Sequence, residues 1–145
     1  DWSSDVCSSD LSHGWTTGQD IISYNFHSVP GYSKIGTYTG NANADGPFIY
    51  LGFKPRWFMH KANNAASWYI YDTLRSPFNP MLLPLFADTA NGESTNVYGF
   101  DFLSNGIKVR QPTGYGANYS GVLVWYMAFA EHPFIGDGVS PATAR

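Results

Sequence analysis

Four histidines, at positions 13, 27, 60 and 132, are the first residues that could do chemistry, and none has a second histidine at the close spacing of a metal pair. His60 stands in an aromatic stretch beside Trp57 and Lys61, which suits a packing or surface role. Two carboxylates, Asp72 in "YIYDT" and Asp101 in "GFDFL", are candidates for a glycosidase pair, which needs two acids at a set separation across the scissile bond. The ordinary alternative is two strand-end acids with local hydrogen bonds. "GNANADG" puts Asn41, Asn43 and Asp45 at alternate positions, as a calcium loop begins, but the later Glu is missing and a polar turn is expected. No G-x-S-x-G elbow and no glycine loop opening a helix for phosphate is present. The expectation is a non-enzymatic domain with no metal and no cofactor.

Aromatic side chains offer a different chemistry. Tyr115 and Tyr119 flank Asn118 in the glycine-rich "TGYGANYSG". Ring faces with an amide between them suit sugar rings, and loops on a rigid scaffold carry function. The alternative is that both tyrosines cap the edge of the scaffold. Arg75, closing "WYIYDTLR", could reach an acidic sugar if the fold brings it near. Tyr115, Asn118, Tyr119 and Arg75 are therefore the candidate ligand-binding residues.

The opening "DWSSDVCSSDL" holds the single cysteine, Cys7, and has no periodicity to match the rest of the chain. It lacks the basic start and apolar run of a secretory signal. It resembles a translated sequencing-adapter oligonucleotide fused to a metagenomic reading frame, so residues 1–11 are expected to lie outside the fold. Without Asp1, Asp5 and Asp10 the remaining eight acids balance eight Lys and Arg, and the net charge of −3 disappears. A neutral domain has no long-range pull on nucleic acid, and no apolar run reaches the roughly 18 residues of a membrane helix. No cysteine remains to staple the domain.

Aromatics at 17%, charged residues at 13%, and 15 glycines with 9 prolines leave little room for long helices and favour strands joined by turns. "DIISYNFHSV" (20–29) alternates Ile22, Tyr24 and Phe26 with polar residues, the period of a half-buried strand. Further strands are predicted around 34–38, over 47–53, 56–62 and 68–75, around 82–86, and on both sides of a two-residue turn at Asn105-Gly106. In 56–62, Trp57 and Met59 share one face and Phe58 and His60 the other. "VLVWYMAFAEH" (122–132) is the most apolar stretch and is predicted as a central strand buried on both faces. Trp57, Trp68 and Trp125 are expected in the core. Tyr24-x-Phe26-x-x-x-Pro30 echoes Met127-x-Phe129-x-x-x-Pro133, so 12–35 reads either as the end strand and linker of a preceding similar unit or as a chance likeness.

In "GYSKIGTYTGNANADGPFIYLGFKPRWFMHK", "WYIYDTLR", "DFLSNGIKVR" and "YMAFAEHPF" the chain resembles an uncharacterised, often tandem β-domain of bacteriophage tail and virion proteins, over about residues 31–134. The resemblance implies an extracellular virion location and carries no catalytic motif. Together these readings predict an all-β, antiparallel β-sandwich of jelly-roll or concanavalin-like type over 36–134, with 135–145 as a linker. The expected role is host-surface adhesion through a glycan. The alternatives are a structural spacer and, ranked below it, a glycan depolymerase. Expected partners are other virion or tail domains and a host-surface glycan, with self-association through the parent protein, and with neither nucleic acid nor membrane insertion.

Overall fold

The computed structural model describes residues 24–64, 66–93, 99–112 and 116–133. Among the described residues eight strands form: β1 (Ser33–Thr39), β2 (Phe48–Tyr50), β3 (Pro55–Ala62), β4 (Tyr69–Asp72), β5 (Leu85–Phe86), β6 (Phe100–Leu103), β7 (Gly106–Val109) and β8 (Leu123–Ala130). They make a five-stranded sheet in the order β1-β8-β3-β4-β5 and a three-stranded sheet in the order β2-β7-β6. Every pairing is antiparallel, and the sheets pack as a β-sandwich.

Register fixes which side chains meet inside. Across the five-stranded sheet, Tyr126, His60, Tyr69 and Phe86 form one inward row, and Ala128, Phe58 and Tyr71 the next. Ile49, Ile107 and Phe102 face them from the three-stranded sheet. Phe58 and Phe100 are fully buried and meet across the sandwich with ring centroids 5.1 Å apart at 65°, the edge-to-face geometry that aromatic quadrupoles favour. Alternation in β3 is as expected: Phe58 and His60 point in, Trp57 and Met59 out.

Sheet edges are managed locally. The Asn79 side chain acts as a short strand for β6: its Oδ1 accepts from the Phe102 N–H at 2.9 Å and its Nδ2 donates to the Phe102 carbonyl at 3.0 Å. Met81 completes that edge by bridging Phe100.

Several expectations change. Of 20–29, residues 20–23 lie outside the described residues, 24–28 are exposed and outside any strand, and Val29 makes an isolated bridge to Ser33. Strand β8 is central but is not buried on both faces. Val124, Tyr126 and Ala128 point in, whereas Leu123, Trp125, Met127 and Phe129 point out, and Trp125 keeps 40% of its surface exposed. Trp57 and Trp68 are likewise only half-buried, so the core is built on Phe and Tyr. The hairpin turn is Ser104-Asn105, because Leu103 already pairs with Gly106. Gly106 has no positive φ. It is required by close approach, since a Cβ there would lie 2.3 Å from the Ile49 carbonyl oxygen. The boundary expected between 35 and 36 falls inside β1, which pairs with β8 along its whole length.

Candidate functional site

Two outward surfaces compete as a binding site, and the loop nominated by its composition is the weaker. Asn118 is fully buried. Its Oδ1 accepts from the Asn41 N–H at 2.8 Å, and its Nδ2 donates to the carbonyls of Asn43, at 2.8 Å, and Gln111. The amide is a knot between three chain segments and has no hydrogen to offer a sugar hydroxyl. Residues 116–121 are held tightly too. Gly121 N–H donates to the Gly40 carbonyl, and Gly40 N–H donates to that of Val122. A Cβ on Gly40 would meet the Tyr119 carbonyl oxygen at 2.3 Å. Gly116 takes a φ of +69° and packs on Ala66, where a Cβ would come within 2.8 Å of the Ala66 methyl. Tyr119 is exposed at the surface, and Tyr115 lies outside the described residues.

Arg75 is also engaged. Its guanidinium pairs with Asp72 and Glu93 and donates to the carbonyls of Leu83 and Ile70. Partial burial acts to raise the Asp72 pKa, but hydrogen bonds from the Arg75 backbone and side chain outweigh it and hold the carboxyl below its usual range. Asp101, the other proposed member of a carboxylate pair, sits on the other sheet and pairs with Arg110. In "GNANADG" the amide oxygens are consumed in the turn: Asn41 Oδ1 accepts from Asn43 N–H and Asn43 Oδ1 from Asp45 N–H. The Asp45 carboxylate goes to Lys108 at 2.7 Å, and that hydrogen bond lowers its pKa. Among the described residues no cluster of three or more His, Cys, Asp or Glu is gathered for a metal ion.

His60 is buried inside the sandwich, stacked on Tyr69 and Tyr71 and met edge-on by Phe100. Neither ring nitrogen has a hydrogen-bond partner among the described residues. Burial among apolar rings pushes its pKa down to about 3, so it is neutral and serves as an aromatic packing element. Tyr38 beneath the loop is held protonated by burial and by nearby Tyr71, and its hydroxyl donates to the Ala117 carbonyl at 2.7 Å.

The second surface is the outer face of the five-stranded sheet. Its central row is Ile35, Met127, Met59 and Ile70, and adjacent rows carry Phe129 and Trp57 on one side and Trp125 and Lys61 on the other. A groove of about 440 Å³ runs over it, walled by Trp125, Trp68, Tyr24 and Phe26 and floored by Met59 and Met127. Lys61 covers Trp68, with its ammonium 5.5 Å from the ring centre, and donates to the Ala66 carbonyl at 2.6 Å. Charge is thus kept at the margin, and the walls are aromatic. A second cavity of about 280 Å³ lies at the other end of β3, where Lys54 and Glu131 pair at 2.6 Å.

Sequence reasoning missed this groove for a definite reason. A strand apolar on both sides reads as doubly buried, so the exposure of Trp125 has no local signature. The visible clue was the outward pair Trp57 and Met59, which placed apolar residues on the side of β3 away from Phe58.

The chain belongs to the family of domains of unknown function DUF7483, which it matches over residues 3–133, a range that includes most of the segment read as adapter-derived. Neither a search of curated proteins nor a search of solved structures found a match.

Proposed function

Starting from membership of a family whose function is unknown, we propose that the chain is a non-enzymatic adhesion module of a phage tail or tail-fibre protein, holding a host-surface glycan in the aromatic groove of the five-stranded sheet. The observation that carries this reading is the groove itself. Trp125 of β8, at 40% exposure, and Tyr24, at 79% on the segment that leads to β1, are aromatic side chains open to solvent in this groove. Pyranose rings have an apolar face that stacks on such rings, and a volume of about 440 Å³ falls in the range of small-molecule sites. The sheet pre-organises Trp125 on β8, which lowers the ordering cost of binding.

The test is a screen of the chain against host-derived glycans, repeated with Trp125→Ala combined with Trp68→Ala. Loss of binding with an unchanged melting curve supports the groove. Retained binding removes the groove as the site. No binding by the parent chain to any host-surface preparation favours the structural spacer. The contact of Phe26 with Phe129 on this face supports that second reading, because a neighbouring domain could seat there in the same way.

A further inference from the structure

We propose that the cavity at the Lys54–Glu131 end of the sandwich is a second binding site, and that it takes a single uncharged, hydroxyl-rich ring of the pyranose class. The site is separate from the aromatic groove, since no residue lines both.

The first argument is how the fold gathers polar groups there. Strand β3 lies between β8 and β4 and runs antiparallel to both. The start of β3 therefore meets the ends of the other two. Lys54 precedes β3, Thr73 follows β4 and Glu131 follows β8, so an ammonium, a hydroxyl and a carboxylate arrive at one place. Backbone bonds fix them: Glu131 N–H donates to the Lys54 carbonyl at 2.8 Å, and Thr73 N–H to the Arg56 carbonyl at 3.0 Å. Asn79 lines the cavity as well, and its amide is held by its two bonds to Phe102. A set positioned in this way leaves little ordering for a ligand to impose.

The second argument is unused bonding capacity. Thr73 Oγ1 is buried with no hydrogen-bond partner among the described residues. A hydroxyl in that state destabilises the fold until something bonds to it, and its residue lines the cavity. An ammonium has three hydrogens and a carboxylate about four lone-pair sites, so the single Lys54–Glu131 contact leaves both with capacity. The Asn79 amide keeps one hydrogen and one lone pair beyond those engaged by Phe102.

The third argument selects the ligand class. Lys54 and Glu131 neutralise each other at 2.6 Å, and a charged ligand would have to break that pair. Hydroxyls donate and accept at once, so they bond to both members without separating them. Phe102, Met81 and Pro77 supply apolar wall for the C–H face of a ring. A volume of about 280 Å³ lies just under the range of about 300–1,000 Å³ typical of small-molecule sites, which suits one ring and not a chain of them.

The experiment titrates the isotope-labelled full chain with glucose, galactose, mannose and N-acetylglucosamine and follows backbone amide shifts. At least one sugar should give saturable shifts at Lys54, Thr73, Asn79 and Glu131. No saturable shift at these residues with any of the sugars overturns the proposal, and so do shifts confined to Trp125 and Met127 of the groove. Thr73→Val keeps the side-chain shape and removes the hydroxyl. It should weaken binding about tenfold while the melting temperature holds or rises, because the free protein loses an unpartnered buried group. Affinity unchanged in both Thr73→Val and Glu131→Gln also overturns the site. Pocket and groove are read at different residues, so failure of this proposal and failure of the adhesion reading are separable.

Discussion

The two sheets turn similar faces inward and opposite kinds of face outward. Outside the three-stranded sheet, Phe48 and Tyr50 share the surface with charges that are already paired: Lys108 with Asp45, and Asp101 with Arg110. Outside the five-stranded sheet, the central row Ile35-Met127-Met59-Ile70 has no polar residue at all. The inner faces must fill one shared volume, so packing dictates both. The outer faces have no such constraint, and although both expose aromatic side chains they differ in whether the middle of the sheet carries paired charges or an unbroken apolar row.

The contrast can be broken from its interior outward. Phe58 joins both sheets, so Phe58→Ala should cost about 3–5 kcal/mol in chemical denaturation. A much smaller loss would mean that the inner faces are not tightly coupled. Next comes acid. His60 takes a proton near pH 6.5 when unfolded and only near 3 when folded, so between those values the unfolded state binds more protons. Stability is complete above pH 6.5 and should fall by about 3 kcal/mol on going down to pH 4. Phenylalanine at this position should flatten that slope, and an unchanged slope in His60→Phe would assign it elsewhere.

Asn118→Ala strands the carbonyls of Asn43 and Gln111 and the Asn41 N–H, and is expected to cost about 2–3 kcal/mol. A neutral result would reopen the loop as a binding surface. Trp125→Ala is the smallest and sharpest test. Because the ring sits outside, the loss should be no more than about 1 kcal/mol. A cost as large as that of Phe58→Ala would return Trp125 to the core and erase the distinction between the faces.

Much of the fold was readable because strand period and turn chemistry are local. The inward side of β3 followed from alternation alone, and the hairpin of β6 and β7 from its Ser-Asn-Gly centre. The turn was one residue out because Gly106 serves a close contact with β2, a tertiary requirement that imitates a turn preference. The site was less readable. Asn118 and Arg75 have the right types for a ligand, but their hydrogen bonds are spent within the protein. Asn118 bonds to Asn41 and Asn43, 77 and 75 residues away, and no local pattern encodes partners at that separation.

Asn79 decides what one edge of the three-stranded sheet can still accept. With its amide seated on both hydrogen-bonding groups of Phe102 and Met81 seated on Phe100, the outer border of β6 has no vacant rung at either residue. An incoming extended chain cannot lengthen the three-stranded sheet there without first evicting a side chain. Growth into a ribbon is therefore capped on that flank. A strand added to this domain would have to pair at another sheet edge, that of β2, β1 or β5.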